Sequence, residues 1–254
     1  MSHLHDLRSL LESWPFDPGD DVRLVRGADG RQIMQVRLPL GIEQYEMDGR
    51  PDGVRPHGME SALEFQLAQL AKAKNEGEEA AFVLDAEECI ELFNEGVLYY
   101  YRYVRCFQIK DWARTVRDTG RNLRVFDLVK RYAERDEDRQ QLEQWRPYVL
   151  RMNAVARAMM AVDEKRFEEA MKIIGDAASK IESLEEMDNP TFKFERERSL
   201  HALRDLAGQL ERDRPVTELE RLERELKKAV ETEQFERAAK LRDRIKALRS
   251  TAGM

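Results

Sequence analysis

Two short amphipathic helical runs separated by one break, over residues 216–248, constrain this chain more than any other feature. In the first run Leu219, Leu222, Leu226 and Val230 recur at three- and four-residue spacing and so share one helix face. In the second, Phe235, Ala238, Leu241, Ile245 and Leu248 do the same. A helix of about a dozen residues with a single apolar stripe is marginal alone in water. Two of them back to back bury their stripes against each other, which predicts an αα-hairpin. The paired small residues Ala238 and Ala239 would let the two backbones approach closely beside the turn.

The second run, Gln234-Phe235-Glu236-Arg237-Ala238-Ala239-Lys240-Leu241-Arg242-Asp243-Arg244-Ile245, resembles the UVR motif, whose core runs roughly D-F-E-x-A-A-x-L-R-D-x-I. That motif occurs in the B and C subunits of the bacterial UvrABC excinuclease. It also occurs in zinc-containing activators of protein-arginine kinases and in some Clp-type unfoldases. There it is a helical hairpin used for protein–protein contact. The resemblance departs at Glu233-Gln234, where the family usually has an apolar residue and Asp. It implies a partner-binding surface, for which Phe235, Leu241, Arg242 and Ile245 are the candidate residues.

None of the engines that accompany the motif is visible elsewhere. No G-x-x-x-x-G-K-[ST] loop is present, which excludes the helicase-like subunit. The resemblance does not extend to a nuclease domain. Cys89 and Cys106 have no C-x-x-C partners, so no structural zinc site is implied. The histidines His3, His5, His57 and His201 have no His or Cys neighbour at i+4. No metal, cofactor or catalytic constellation is expected, and the chain does not read as an enzyme.

The 254 residues allow one large or two modest domains. A charged fraction of 37% suits long surface helices, and a net charge of −7 argues against general nucleic-acid binding. Without an apolar run long enough to span a bilayer or a secretory signal, and with two free-looking cysteines, the expected location is the cytoplasm.

The predicted architecture is mainly α, in three parts. Residues 1–57 form a small β-containing unit: Val22–Arg26, Ile33–Leu38 and Ile42–Met47 read as strands, the first two joined through Asp29-Gly30. Three short strands need a cover, which a helix from Gly58 to Lys74 would supply. Residues 58–214 form a helical array, opened by a capping box at Asp85 and Glu88. Pro147 should kink or split a helix over 137–162. Residues 215–254 are the hairpin. Within the array, Arg166-Phe167-Glu168-Glu169-Ala170 echoes Gln234-Phe235-Glu236-Arg237-Ala238. Ala158, Phe167, Ala170, Ile174 and Ala177 are spaced as in a degenerate tetratricopeptide repeat. The plainer reading is that any tight helical hairpin needs Ala and Phe near its turn.

One further pattern carries chemistry. Arg114, Arg117, Arg121 and Arg124 recur at 3-4-3 spacing, after a helix bearing Tyr99, Tyr100, Tyr101 and Tyr103 and beside Trp112. Guanidinium forks with aromatic rings are what a nucleic acid or phospho-ligand would require. The competing reading has acidic neighbours such as Glu134, Asp136, Glu137 and Asp138 neutralising the arginines, with the tyrosines packed between helices. The favoured function is therefore a cytosolic interaction or adaptor protein docking another protein, or a second copy of itself, through the hairpin. The alternative is a nucleic-acid-associated accessory factor using the arginine face.

Overall fold

A computed structural model describes residues 6–215 and 218–252. His3, His5 and Val216 lie outside the described residues, as does the side chain of Arg249. The protein is mainly helical, with a three-stranded antiparallel sheet near the N-terminus and a C-terminal helical hairpin. It divides into two compact units, residues 1–207 and 208–254.

In the first unit a short helix α1 (Arg8–Ser13) precedes β1 (Val22–Arg26), β2 (Gln32–Leu38) and β3 (Gly41–Glu46), a meander in the order β1-β2-β3. The Asp29-Gly30 turn forms as predicted, with Gly30 at φ 82°. Side chains alternate across the sheet. Met34, Val36, Tyr45 and Met47 make the inner cluster. On the outer face Arg37 donates from Nε to the Trp14 carbonyl at 2.7 Å, and Arg23 lies over the Trp14 ring at 4.0 Å.

The cover of this sheet differs from the expected one. It is the C-terminal end of α3 (Ala86–Gln108), through Cys106 with Ile109 beside it, that closes the inner cluster. The helix α2 (Ala62–Asn75) instead sends Leu63 and Leu70 into the larger core with Leu84, Leu92, Val125, Phe126 and Val129. Polar contacts explain the choice. Arg102 of α3, fully buried, donates from Nη1 to the carbonyls of Glu46 and Gly49 at 2.7 and 2.8 Å, holding the end of β3 and the turn after it. Its other nitrogens grip Asp118 of α4 (Trp112–Tyr132) at 2.7 and 2.9 Å.

A second buried charge fixes α2. Glu95 of α3 accepts from the backbone N–H groups of Ala62 and Leu63 at 2.8 and 3.2 Å, satisfying orphan donors in the first turn of α2. Ser61 accepts a third, from Glu64, as the N-cap. Glu95 also ion-pairs with Arg121 and, at 3.3 Å, with Arg50.

The helices otherwise follow local signals. The capping box at Asp85 and Glu88 is complete. Pro147 splits its run: α5 (Asp136–Glu143) ends before it, and it sits in the first turn of α6 (Arg146–Asp163), where its missing N–H costs nothing. Then come α7 (Phe167–Glu182) and α8 (Pro190–Asp213). Cys89 and Cys106 are free and buried; burial pushes their thiols up to about 11 and about 12, so both stay protonated at neutral pH.

Three helix pairs are joined by the same turn. In α3–α4 and α6–α7 the turn residues are Lys110 and Lys165, at φ 61° and 62°. In α9 (Glu218–Glu231) and α10 (Phe235–Ala252) of the second unit the turn residue is Glu233, at φ 55°. The N–H after each bonds back to Cys106, Ala161 and Ala229 at 2.8, 2.7 and 2.8 Å, closing a Schellman motif without glycine. Small buried residues flank each turn, Cys106 with Thr115, Ala161 with Ala170 and Ala229 with Ala238. An aromatic residue opens each following helix, namely Trp112, Phe167 and Phe235. The echo between Phe167 and Phe235 is this shared turn.

Breaking the Arg102–Asp118 pair tests which contact holds the sheet. Arg102→Met should cost about 3–5 kcal/mol, because buried Asp118 is left with Arg117 alone and the carbonyls of Glu46 and Gly49 lose their donor. The double variant Arg102→Met with Asp118→Leu should recover part of that loss in urea unfolding. Equal destabilisation by the single and double variants would show that the sheet contacts, not the ion pair, dominate.

Candidate functional site: the C-terminal hairpin

The hairpin is built on a seam of small and branched apolar residues. Leu222, Ala229, Ala238 and Ile245 are buried, with Leu219, Leu226, Leu241 and Leu248 half-buried beside them. Two residues depart from the predicted stripes. Val230 is 53% exposed and Ala229 takes its place in the seam. Close to the turn the seam is alanine on both sides, Ala229 and Ala238, both buried. Ala239 faces solvent. Phe235 is 69% exposed. As the first residue of α10 its side chain leans back over the turn rather than into the seam.

The four residues singled out for partner contact thus fall into different environments. Ile245 is buried inside the hairpin and Leu241 is half-buried, so both hold the fold. Phe235 projects from the tip, and Arg242 is largely exposed, its Nε 3.7 Å from Asp243. Lys240 and Lys246 are exposed on the same helix, while Arg237 reaches across to Glu225 of α9 at 3.4 Å. The residue that the stripe pattern misplaced, Val230, stands on the other side of the turn from Phe235. The cue for it is its position one residue beyond Ala229, which fills the seam.

The arginine row of α4 lies in the first unit and is occupied internally. Arg114 pairs with Asp111 at 2.7 Å, at the N-cap of its own helix. Arg117 pairs with Asp118 at 2.9 Å and Asp48 at 3.0 Å, and donates to the Met47 carbonyl at 2.7 Å. Arg121 is buried against Glu95 with its guanidinium 4.1 Å from the Tyr99 ring, and Arg124 meets Glu64 at 3.2 Å on the surface. The neutralising carboxylates are these, rather than Glu134, Asp136, Glu137 and Asp138. Trp112 is turned away to donate its Nε1–H to Asp163 at 3.1 Å. Of the histidines, His57 meets Glu91 at 3.1 Å and His201 meets Asp205 at 2.9 Å. Among the described residues no group of three His, Cys, Asp or Glu side chains is arranged to hold a metal ion, and no helix is long and apolar enough to cross a membrane.

The division between seam and tip has a direct consequence for stability. Ile245→Ala should weaken the hairpin by about 2–5 kcal/mol, and Phe235→Ala should change it by about 0.5 kcal/mol or less. Glu233→Gly should strengthen it by roughly 0.5–1 kcal/mol, because it relieves a left-handed conformation that a side chain resists. Amide exchange over residues 218–252 of the full chain reads all three. Equal loss of protection in Phe235→Ala and Ile245→Ala would place Phe235 in the seam after all.

No curated protein and no solved structure matches the chain. The C-terminal hairpin does match a known family: the UvrB/uvrC motif covers residues 217–251, α9, the turn and α10 together.

Proposed function

We propose that the protein is a cytoplasmic adaptor that docks another protein through the tip and basic face of its C-terminal hairpin. The observation that carries this reading is the outward placement of Phe235. The seam is closed without it, so a large apolar ring stands in water at a cost the fold itself does not require. Val230, on the other side of the turn, is exposed as well, and Arg242 and Lys246 follow Phe235 along one face of α10. An aromatic anchor with a charged surround is how a small interface achieves affinity and orientation together. The partner that fits is an acidic protein surface with an apolar notch. The occurrence of this motif as a protein-contact hairpin in excision-repair proteins supports the same reading.

The alternative, a nucleic-acid accessory factor working through the α4 arginines, would have to draw Arg114, Arg117 and Arg121 out of their present ion pairs. Its signature would be steeply salt-dependent binding.

The test is an affinity capture with the full-length chain and its Phe235→Ser and Arg242→Glu variants, followed by sedimentation of each. Loss of a captured protein in both variants, with hairpin amide protection intact, supports docking at the tip. A concentration-dependent dimer lost in the same variants would make the partner a second copy. A partner set unchanged by both substitutions removes the hairpin tip from the function. The affinity lost with the aromatic anchor should be on the order of 2–4 kcal/mol.

A further inference from the structure

The tyrosines of α3 that the arginine row leaves behind line a cavity of their own. It is half-open, about 400 Å3, and belongs entirely to the first unit. Its floor is closed by buried side chains, Tyr103 of α3 and Phe126 of α4 among them. Its rim is wet, with Tyr100, Tyr101 and Trp145 each more than a third exposed. A recess of this kind suits a small ligand better than the flat face of a protein.

The floor also holds a glycine. Gly96 stands in the middle of α3, where glycine weakens a helix. Packing does not demand it: a Cβ added there would meet no neighbouring atom nearer than the Asn122 side chain at 3.8 Å, an ordinary contact. What the missing side chain does is leave the cavity open.

The lining decides the class of ligand. The ring of Tyr100 lies 5.5 Å from those of Tyr101 and Tyr103 and 6.1 Å from that of Tyr148, at interplanar angles of 52°, 87° and 59°. None of these pairs is face to face, so ring faces are left for a flat guest. Charge is balanced. Among the described residues the only charged side chains in the wall are Glu195 and Arg198, which meet each other at 3.4 Å. An ion of either sign entering here loses its water and finds one like charge for each opposite one, so an uncharged ligand is favoured.

The polar groups left over are hydroxyls. Asn122 is already engaged, giving its amide to the Gly96 carbonyl at 2.9 Å and accepting from Arg121 at 3.2 Å. No hydroxyl of Tyr100, Tyr101, Tyr103 or Tyr148 has a hydrogen-bond partner among the described residues. At the rim water supplies one. Tyr103 has almost no contact with solvent, so an oxygen brought by the ligand would satisfy its hydroxyl at a place where little else can.

We propose that this cavity binds a small, uncharged, planar aromatic molecule bearing a hydroxyl or carbonyl oxygen. Its rings lie among the tyrosines above Gly96, and its oxygen accepts from the Tyr103 hydroxyl. A volume of about 400 Å3 is toward the lower end of the range that small-molecule ligands occupy, which suits a fused two-ring skeleton. The site does not involve the C-terminal hairpin.

Titration calorimetry of the full-length chain at neutral pH tests it with four probes of similar size. These are 2-naphthol, its saturated relative decahydro-2-naphthol, naphthalene-2-sulfonate and 2-naphthylmethylammonium. 2-Naphthol should bind, and the other three should bind at least 10-fold more weakly. Gly96→Leu, which fills the floor, should abolish binding. Tyr103→Phe should weaken it roughly 5-fold, the worth of one hydrogen bond, with thermal unfolding within a few degrees of the parent. No binding of 2-naphthol at millimolar concentration, or binding indifferent to Tyr103→Phe, overturns the proposal. So does equal binding of the saturated relative or of either ion. A concentration-dependent dimer broken by Gly96→Leu, with no probe bound, overturns it in favour of an apolar side chain from a second copy. Failure here would leave hairpin docking untouched, and the Phe235→Ser variant should still bind 2-naphthol.

Discussion

The fully buried guanidinium of Arg102 is the contact on which the first unit depends. It satisfies two carbonyls at the end of the sheet and both oxygens of Asp118, so one side chain joins β3, the turn after it, α3 and α4. A buried ion pair of this kind is weak evidence for net stability, since desolvation of two charges offsets most of their attraction. Its value lies in direction. Fixed forks and lone pairs tolerate little rotation, so the pair sets the register of α3 against α4 and the place where the sheet sits. Glu95, about two helical turns earlier on α3, does the same for α2 by holding its first turn. Apolar packing around them is generous but non-directional, and it would accept several arrangements.

Much of the architecture was legible because its causes are local. The capping box at Asp85, the split at Pro147, the Asp29-Gly30 turn and the two helices of the hairpin all follow from residues within a few positions of one another. What local pattern could not convey is which charged residues go inside. Arg102, Asp118 and Glu95 lie in helices full of Arg, Asp and Glu, and nothing in their spacing distinguishes a buried partner from a solvated neighbour. The 3-4-3 row of arginines correctly marks one face of α4. The face is turned toward carboxylates supplied by α3, α2 and the turn after β3, which lie tens of residues away in sequence. For the same reason α2 appeared to be the cover of the sheet. Its apolar stripe fits that role as well as the one it has, and the decision was made by Arg102 and Cys106 on α3.

The hairpin shows the limit from the other direction. Periodicity places Phe235 and Ile245 on one stripe, yet one is outside and the other inside. The first turn of a helix beside a tight connection does not share the geometry of its middle, so the stripe begins at Ala238. This separates two properties that a single apolar stripe would have fused. The seam of Leu222, Ala229, Ala238 and Ile245 maintains the hairpin, and the tip is left to vary with whatever it meets.

The placement of Arg102 also imposes an order of assembly. The pairs α3–α4, α6–α7 and α9–α10 are each closed by a turn of a few residues, so they form with little loop entropy to overcome. The sheet reaches its guanidinium across more than fifty residues, and that carbonyl grip has value only after α3 and α4 have met around Asp118. Helical hairpins first and the N-terminal sheet last is the sequence this topology favours, so a chain emerging from its N-terminus would carry an unplaced sheet until α4 had followed.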